Sequence, residues 1–397
     1  MDRATVNDMD LSGKTVLVRV DFNVPLDGRT ITDDTRIVKT LPTIKALIDQ
    51  GCRTILCAHL GRPEGERNLE YSLQPCATHL SGLIDQDVRF VEDCIGAPVQ
   101  EAVDEMEPGD VILLENTRFH PGEKSKDQDE LMKFAEQLAA PAEAYVNDAF
   151  GACHRKHAST WGVTKFLSPC VMGLLVEEEL LQLGRILDAP TEGLVIVLGG
   201  AKVEDKIGVI RSLLPRCEQM LIGGAMTYAF FRAQGMEIGA SLCTEKGVVE
   251  AAELLKDMGD EMDHMALPTD LHALNTENPE EKRYIPSDQI QPGWDALDIG
   301  PETRDAYAKV IANARNVFWN GPMGKFEDRP FDEGTLAVAR AMGECPGFNV
   351  VGGGDSVAAV TENNLEEAID HISTGGGASL EFLELGRLPA VDVLDSV

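Results

Sequence analysis

Residues 194–200 read LVIVLGG: five apolar residues, without a polar alternation, running straight into two glycines. An uninterrupted apolar run of this length, followed by a segment with helical spacing (VEDKIGVIRSLL, 203–214), is a strand buried on both faces. The same punctuation recurs three times: Met220 to Ile222 runs into Gly223-Gly224, Val350-Val351 into Gly352-Gly353-Gly354, and His371 to Thr374 into Gly375-Gly376-Gly377. Buried strands separated by helices require right-handed crossovers and a parallel sheet covered on both sides. Glycines at the strand ends let a bound group approach the backbone, and the helix N-termini that follow offer unpaired amides to an anion. A phosphate-rich ligand is expected on this edge.

Working outward, the first half shows the same alternation. Thr15 to Val20, Thr54 to Cys57, Val88 to Val91, Val111 to Leu114 and Ala144 to Val146 read as short buried strands, with amphipathic stretches at Leu41 to Asp49, Leu73 to Ile84 and Gln128 to Ala139 between them. The predicted class is therefore α/β, as two doubly wound parallel-sheet domains joined by a hinge helix. Residues 1–172 form the first domain, 173–188 the connector, with Val176 to Leu187 as its amphipathic core, and 189–377 the second domain. The tail, about 378–397, is too short for a domain and is expected to pack back on the first.

Of 397 residues, 35 are Lys or Arg and 67 are Asp or Glu, so 35 − 67 gives a net charge of −32. Such a surface repels nucleic-acid backbones and anionic lipid headgroups, and neither is an expected partner. Hydrophobic content of 43% excludes disorder as the cause of the acidity. The acids are spread over the whole chain, the pattern of adaptation to a salt-rich cytoplasm, where screening removes the self-repulsion. Nine scattered cysteines without a C-x-x-C pair read as core residues of a reduced compartment. With no apolar leader and no membrane-length apolar run, a soluble, cytoplasmic monomer is expected.

Polar residues gather directly after the strands of the first half, where open parallel sheets bind ligands. Asp21 and Asn23 follow the first strand, with Arg36 shortly after; His59 and Arg62 follow the second; Arg118 follows the fourth; His154, Arg155 and His157 follow the fifth. One such arginine would pair with a neighbouring acid, but four at equivalent edges of a cation-poor protein make an anion pocket, because a guanidinium fork matches carboxylate or phosphate oxygens two at a time. His154-x-x-His157 lacks the H-E-x-x-H helix, and the arginines around it would repel a cation, so no metal is expected there. His59 reads as a hydrogen-bond donor to the anion. Three nucleotide signatures fail: Gly13-Lys14-Thr15 precedes its strand and has Asp8 at the first P-loop glycine, neither Gly199 to Gly208 nor Gly352 to Val357 gives G-x-G-x-x-G, and His154-Arg155-Lys156 is not H-R-D.

Nine runs then occur in one order from residue 18 to residue 384: VRVDFNVP, HLGRP, LLENTRFHPGEKSK, VNDAFGACHRKHAS, LGGAKVEDKI, LDIGP, VFWNGPMGKFE, VVGGGDS and STGGGASLEFLE. Together they resemble the phosphoglycerate kinase family over nearly the whole chain. The resemblance implies a hinge-bending enzyme of glycolysis and gluconeogenesis that moves a phosphoryl group reversibly between 1,3-bisphosphoglycerate and ADP, giving 3-phosphoglycerate and Mg-ATP. It further implies that Asp21, Phe22, Asn23, Arg36, His59, Leu60, Gly61, Arg62, Arg118 and Arg155 hold the phosphoglycerate. Lys202 would follow the transferred group and Lys206 bind the nucleotide; Glu327 would hold the ribose and Leu297 line the adenine slot. Gly353, Gly354, Asp355 and Ser356 would receive the phosphates and Mg²⁺, with Asp355 the metal ligand, while Gly375 and Gly376 would offer amides to the moving phosphoryl.

These residue types suit phosphoryl transfer, which is mostly in-line positioning and charge neutralisation. Arg36, Lys202 and the amides of Gly353 and Gly376 are the expected catalytic donors. The sequence departs from the family pattern at Ala296, where a glycine is common beside the adenine slot, and at Cys153 and Ala58. Two alternatives stand beside the kinase: a catalytically silent nucleotide-binding protein of the same fold, and a nicotinamide-dependent oxidoreductase, which the missing dinucleotide fingerprint disfavours.

Overall fold

The computed structural model describes residues 3–397. The chain divides into two compact units, one running to Leu181 and taking in Arg387–Val397, the other Gln182–Gly386.

The first unit contains β1 (Thr15–Val20), a small antiparallel ribbon of β2 (Leu26–Asp27) and β3 (Thr30–Ile31), α1 (Thr35–Asp49), β4 (Arg53–Cys57), α2 (Gln74–Ile84), β5 (Val88–Val91), α3 (Ala97–Asp104), β6 (Val111–Leu114), α4 (Gln128–Ala139), β7 (Ala144–Asp148) and β8 (Cys170–Met172). Its six-stranded sheet has the order β5-β6-β4-β1-β7-β8, and every pairing is parallel. All six residues of β1 are buried, including Arg19. Val16, Val18 and Val20 on one face of that strand meet Ile37, Ile44 and Leu47 of α1, the helical repeat fitting the strand's alternation. α4 starts where Asp127 accepts from the amides of Asp129 (2.9 Å) and Glu130 (3.3 Å).

α5 (Leu174–Leu187) begins on a buried carboxylate: Asp148 Oδ1 accepts from the amides of Leu175 (2.9 Å) and Val176 (3.3 Å). The boundary between the units falls inside this helix, between Leu181 and Gln182.

In the second unit run β9 (Leu194–Leu198), α6 (Ile207–Leu213), β10 (Gln219–Ile222), α7 (Thr227–Ala233), α8 (Glu245–Met258), β11 (Met265–Ala266), β12 (Asp270–Asn275), β13 (Lys282–Pro286), β14 (Trp294–Ile299), α9 (Pro301–Ala312), β15 (Asn316–Asn320), α10 (Glu333–Glu344), β16 (Phe348–Gly352), α11 (Gly354–Glu362), β17 (His371–Ile372) and α12 (Gly376–Leu385). The main sheet is parallel in the order β11-β10-β9-β15-β16-β17. This is the doubly wound order, whose direction reverses between β9 and β15 and opens a crevice beyond their carboxyl ends.

Two expectations need correction. The second domain is not parallel throughout, because β13-β12-β14 form a separate antiparallel sheet. Its edge strand Lys282-Arg-Tyr-Ile-Pro286 is largely exposed and polar, so it lacks the apolar run that marks the other strands. The tail that joins the first unit begins at Arg387, not near residue 378. α12 lies with the second unit, where the Ser212 hydroxyl donates to Glu384 O (3.0 Å). Only the last residues return, with Ala390 N donating to Cys153 O (3.1 Å) and Asp395 accepting from Cys170 N (2.8 Å).

Candidate functional site

Each main sheet presents a polar carboxyl edge. On the first, β1 ends in Asp21, whose buried carboxylate accepts from Arg36 Nη1 at 2.8 Å; Arg36 sits in the first turn of α1 and remains one-third exposed. Asn23 Oδ1 accepts from Gly61 N (2.8 Å), and Arg118 Nη1 donates to Gly61 O (2.7 Å), so the loop after β4 is held from both sides. Gly61 has φ +61°, and an added Cβ would collide with the Tyr71 ring. Asn116, fully buried, donates to Leu60 O (2.7 Å) and Tyr71 O (2.9 Å) and caps the turn that carries Arg118. Arg118 Nε is buried without a partner, and burial together with the Arg19 charge pushes this guanidinium down to about 10. An anion would satisfy that nitrogen and reverse the penalty.

His59 is buried, and its Nδ1 lies 3.0 Å from Arg19 Nη2. A guanidinium has no acceptor, so Nδ1 accepts and the proton sits on Nε2. Burial and the surrounding arginines hold the ring well below the usual histidine range, hence neutral. His59 is thus fixed as a neutral donor. Arg19 is itself anchored, Nε donating to Ser159 Oγ (2.8 Å), which donates on to Glu123 Oε1 (2.6 Å). Glu123 is buried and raised by desolvation, with Arg19 the largest opposing influence. His157 is pushed down to about 3 and His154 to about 4, both chiefly by burial, which fits the expectation that no metal cation sits there.

The remaining expected residues of this edge fall into two groups. Arg62 and Arg155 are exposed, and Arg155 Nε contacts only His154 Nε2, at 2.8 Å. Phe22 and Leu60 are buried, Phe22 completely, within the apolar core. A contact from Phe22 to a ligand is therefore restricted to its backbone.

On the second sheet the crevice between β9 and β15 is lined by backbone. Gly321, just after β15, has φ +96° and an added Cβ would strike the carbonyl of Gly199, just after β9. Its amide donates to Ser356 Oγ (2.6 Å), so the expected ligand hydroxyl of Ser356 is buried and already engaged. Lys206 is buried; its Nζ donates to Asn320 O (3.1 Å) and to Asn320 Oδ1, and burial lowers it to about 8 against the raising influence of Asp205 and Asp355. Asn320 Nδ2 is buried without a partner, 3.0 Å from where a Gly353 Cβ would stand. Gly353 caps α11, Gly354 and Asp355 are exposed in its first turn, and Gly376 is placed so that its Cβ would lie 3.0 Å from Gly353 Cα. Gly375 N donates to Ser373 Oγ (3.3 Å). Lys206, Asn320, Gly321, Gly353, Asp355 and Gly376 are therefore one cluster.

Lys202 is exposed ahead of α6 and lines a small cavity with Ala201, Ala225, Met226, Ala229 and Thr244. Leu297 O accepts from Lys325 N (2.7 Å), which ties the exposed Glu327 loop to β14. Ala296 turns its methyl into the apolar cluster of Tyr228, Phe231 and Trp294, and Cys153 and Ala58 are equally buried, so the three departures are core residues. Sequence reasoning missed Arg19, Asn116, Glu123 and Asn320. Arg19 alone carried a signal, a single cation inside the apolar run TVLVRV.

The family model described as phosphoglycerate kinase matches residues 6–386. The chain belongs to the phosphoglycerate kinase family. It is 47% identical over 397 residues to the phosphoglycerate kinase of Herpetosiphon aurantiacus, covering 100% of both chains. Identity is 49% over 395 residues to that of Moorella thermoacetica, covering 99% of each. Among solved structures, phosphoglycerate kinase from Coxiella burnetii superposes with a TM-score of 0.84 at 36% identity, over 98% of both chains. The Pyrococcus horikoshii OT3 phosphoglycerate kinase gives 0.86 at 33%, over 99% of this chain and 98% of that one. Membership of the phosphoglycerate kinase family makes the chain a kinase of glycolytic phosphoryl transfer. Nothing in its relatives supports the silent alternative. No helix of the described residues is long and apolar enough to cross a membrane.

Proposed function

We propose that the two edges divide the substrates of the reversible transfer between 1,3-bisphosphoglycerate and ADP. The first edge takes the phosphoglycerate through Arg36, His59, Arg62, Arg118 and Arg155, oriented by Asp21, Asn23 and Gly61, with Phe22 and Leu60 contributing backbone only. The second takes the nucleotide through Lys202, Lys206, Gly353, Gly354 and Asp355, with Leu297 and Glu327 at the adenosine and Ser356 shaping the turn from beneath. The observation that carries this division is that Arg62, Arg118 and Arg155 have no carboxylate partner among the described residues, although acids outnumber bases 67 to 35. Cations left unpaired at one edge of so acidic a protein are kept for an external anion.

Transfer is in line, and Arg36, Lys202 and the amides of Gly353 and Gly376 neutralise the equatorial oxygens; removing one such donor costs about 3 kcal/mol. Asp355 fits a Mg²⁺ role: its carboxylate is exposed, makes no described hydrogen bond, and is the hard oxygen donor that this ion takes beside phosphate oxygens and water. When bound with the nucleotide, the ion supplies charge neutralisation to the phosphate chain. Substrates carried on separate units react only after a closing motion, for which α5 is the proposed hinge. A cytoplasmic, salt-adapted monomer completes the reading.

Calorimetric titration of 3-phosphoglycerate and of Mg-ADP into wild type and Arg118→Ala tests the division. Loss of phosphoglycerate affinity by at least about tenfold, with Mg-ADP unchanged, is expected. Equal loss of both ligands, or of neither, would defeat it.

A further inference from the structure

Away from the two anion edges, among the described residues, Asp93, Cys94 and His120 bring a carboxylate oxygen, a thiol sulfur and a ring nitrogen within 4.8 Å of one another. Topology causes the meeting. β5 and β6 are parallel neighbours in register, Val91 opposite Leu114, so the chain leaves both strands on the same edge of the sheet. Asp93 and Cys94 lie just past the end of one strand and His120 past the end of the other, which is why no zinc-like spacing is visible along the chain.

The three groups are arranged as donors. Asp93 Oδ1 lies 2.8 Å from His120 Nε2 and accepts from Cys94 N at 2.7 Å. The His120 ring is stacked on Phe134, with centroids 5.1 Å apart and planes 22° apart, so its nitrogen is aimed. Cys94 is 1% exposed. Seven of the nine cysteines, Cys52, Cys76, Cys153, Cys170, Cys217, Cys243 and Cys345, donate their thiols to an oxygen. Cys94 shares with Cys57 the lack of any described hydrogen bond from sulfur, yet it is the one facing a carboxylate and an imidazole. Above this floor the side chains of His120 and Asp93 remain 28% and 39% exposed, which leaves an entry from solvent.

We propose that Asp93, Cys94 and His120 form a three-ligand site for a borderline-soft divalent cation of the Zn²⁺ class, with water as fourth ligand. Bonds of about 2.0–2.3 Å place tetrahedral ligands roughly 3.5 Å apart. The present separations bracket that value, so rotation of the partly exposed Asp93 and His120 suffices. A thiol and an imidazole discriminate against Mg²⁺ and Ca²⁺, which take oxygen ligands. On loading, the Cys94 thiol loses its proton to solvent, and the His120 proton resides on Nδ1 while Nε2 binds the ion.

The test is titration of the reduced, metal-free full chain with Co²⁺, followed by Zn²⁺. A thiolate-to-cobalt charge-transfer band with the visible bands of a four-coordinate ion, saturating at one Co²⁺ per chain and bleached by Zn²⁺, is expected. Cys94→Ser should abolish the charge-transfer band, and Asp93→Asn and His120→Gln should weaken Co²⁺ binding by at least about tenfold, the loss that even an outer-sphere partner can cause. Absence of the band in wild type, or its persistence in Cys94→Ser with an unchanged circular dichroism spectrum, overturns the site. Should Cys94→Ser fail to fold, Asp93→Asn decides: unaltered Co²⁺ affinity in that variant overturns it equally.

Discussion

In the unit that carries Arg36, the anion edge is made of side chains; in the unit that carries Gly353, it is made of backbone. The first relies on guanidiniums whose positions are set by buried partners: Asp21 for Arg36, Gly61 O for Arg118, and Ser159 with Glu123 for Arg19, which in turn sets the proton on His59. The second relies on chain turns so close that Gly321 has no room for a Cβ against Gly199, with the cation Lys206 drawn down onto Asn320. A side-chain site discriminates by the number and spread of full charges. A backbone site offers partial charges at fixed positions and tolerates a polyphosphate that differs little from one nucleotide to the next. A small, multiply charged acid and a long phosphate chain call for these two different solutions.

The largest break in this contrast is expected at Arg36. Arg36→Ala should lower kcat by about 10²–10³, the range for one transition-state donor, while Mg-ADP affinity stays within about twofold. Because the substitution also strips the partner from buried Asp21, Arg36→Lys is the control: it keeps the charge and loses the fork, and it should recover stability more fully than turnover. Near-normal kcat in a folded Arg36→Ala enzyme would remove this residue from the transfer step.

Next in size is the reciprocal experiment on the backbone site. Gly321→Ala introduces a Cβ at φ +96° against the Gly199 carbonyl, with Lys206 Nζ 3.2 Å away. Overpacking of this kind costs about 1–3 kcal/mol. Thermal unfolding should shift accordingly, and nucleotide affinity should fall together with it, whereas 3-phosphoglycerate binding in the folded protein should be unaffected. A loss confined to phosphoglycerate would invert the comparison.

How far the two edges could be read from sequence differs for the same reason. The strands LVIVL, FNVVG and TVLVRV announce themselves because parallel strands buried on both faces need unbroken apolar runs, so the two-sheet α/β fold was legible. The sheet at 270–299 was not, since one of its strands is a solvated edge with Lys282 and Arg283. Charges at the first edge stand out in an acid-rich chain, so Arg36, Arg62, Arg118 and Arg155 were found without a structure. Their supports were invisible: Glu123 and Ser159 lie far along the chain from Arg19, and only folding reveals that they share one buried network. Asn320 is an ordinary strand-end residue until Lys206 is seen resting on it.

A smaller effect separates the sites by pH. Lys206 is lowered to about 8 by burial, so raising pH through 8 removes its charge, and nucleotide affinity should weaken above that point. His59 is already neutral and the guanidiniums stay charged, so phosphoglycerate affinity should be flat from pH 7 to 9. The two affinities measured by titration across this interval should diverge by up to about tenfold, the scale of one charge-assisted contact. Lys206→Arg, which stays protonated, should abolish the slope if the side chain fits at all; a slope of equal size for both ligands would place the titrating group elsewhere.

Salt provides the gentlest discrimination. The net charge of −32 repels both substrates, and screening, about 10 Å at 0.1 M and 3 Å at 1 M, lowers that barrier for each. It also weakens the full-charge contacts made by exposed Arg62 and Arg155, but does little to amides buried in the turns around Gly321 and Gly353. Catalytic efficiency toward 3-phosphoglycerate should therefore rise and then fall with KCl, a bell of about a fewfold in height, while efficiency toward Mg-ATP should peak at higher KCl or keep rising. Steady-state kinetics at a series of KCl concentrations, each checked for folded protein, separates the curves. A monotonic fall from zero salt for both substrates would show that local attraction outweighs the general field at either edge, and the distinction between side-chain and backbone recognition would lose its electrostatic basis.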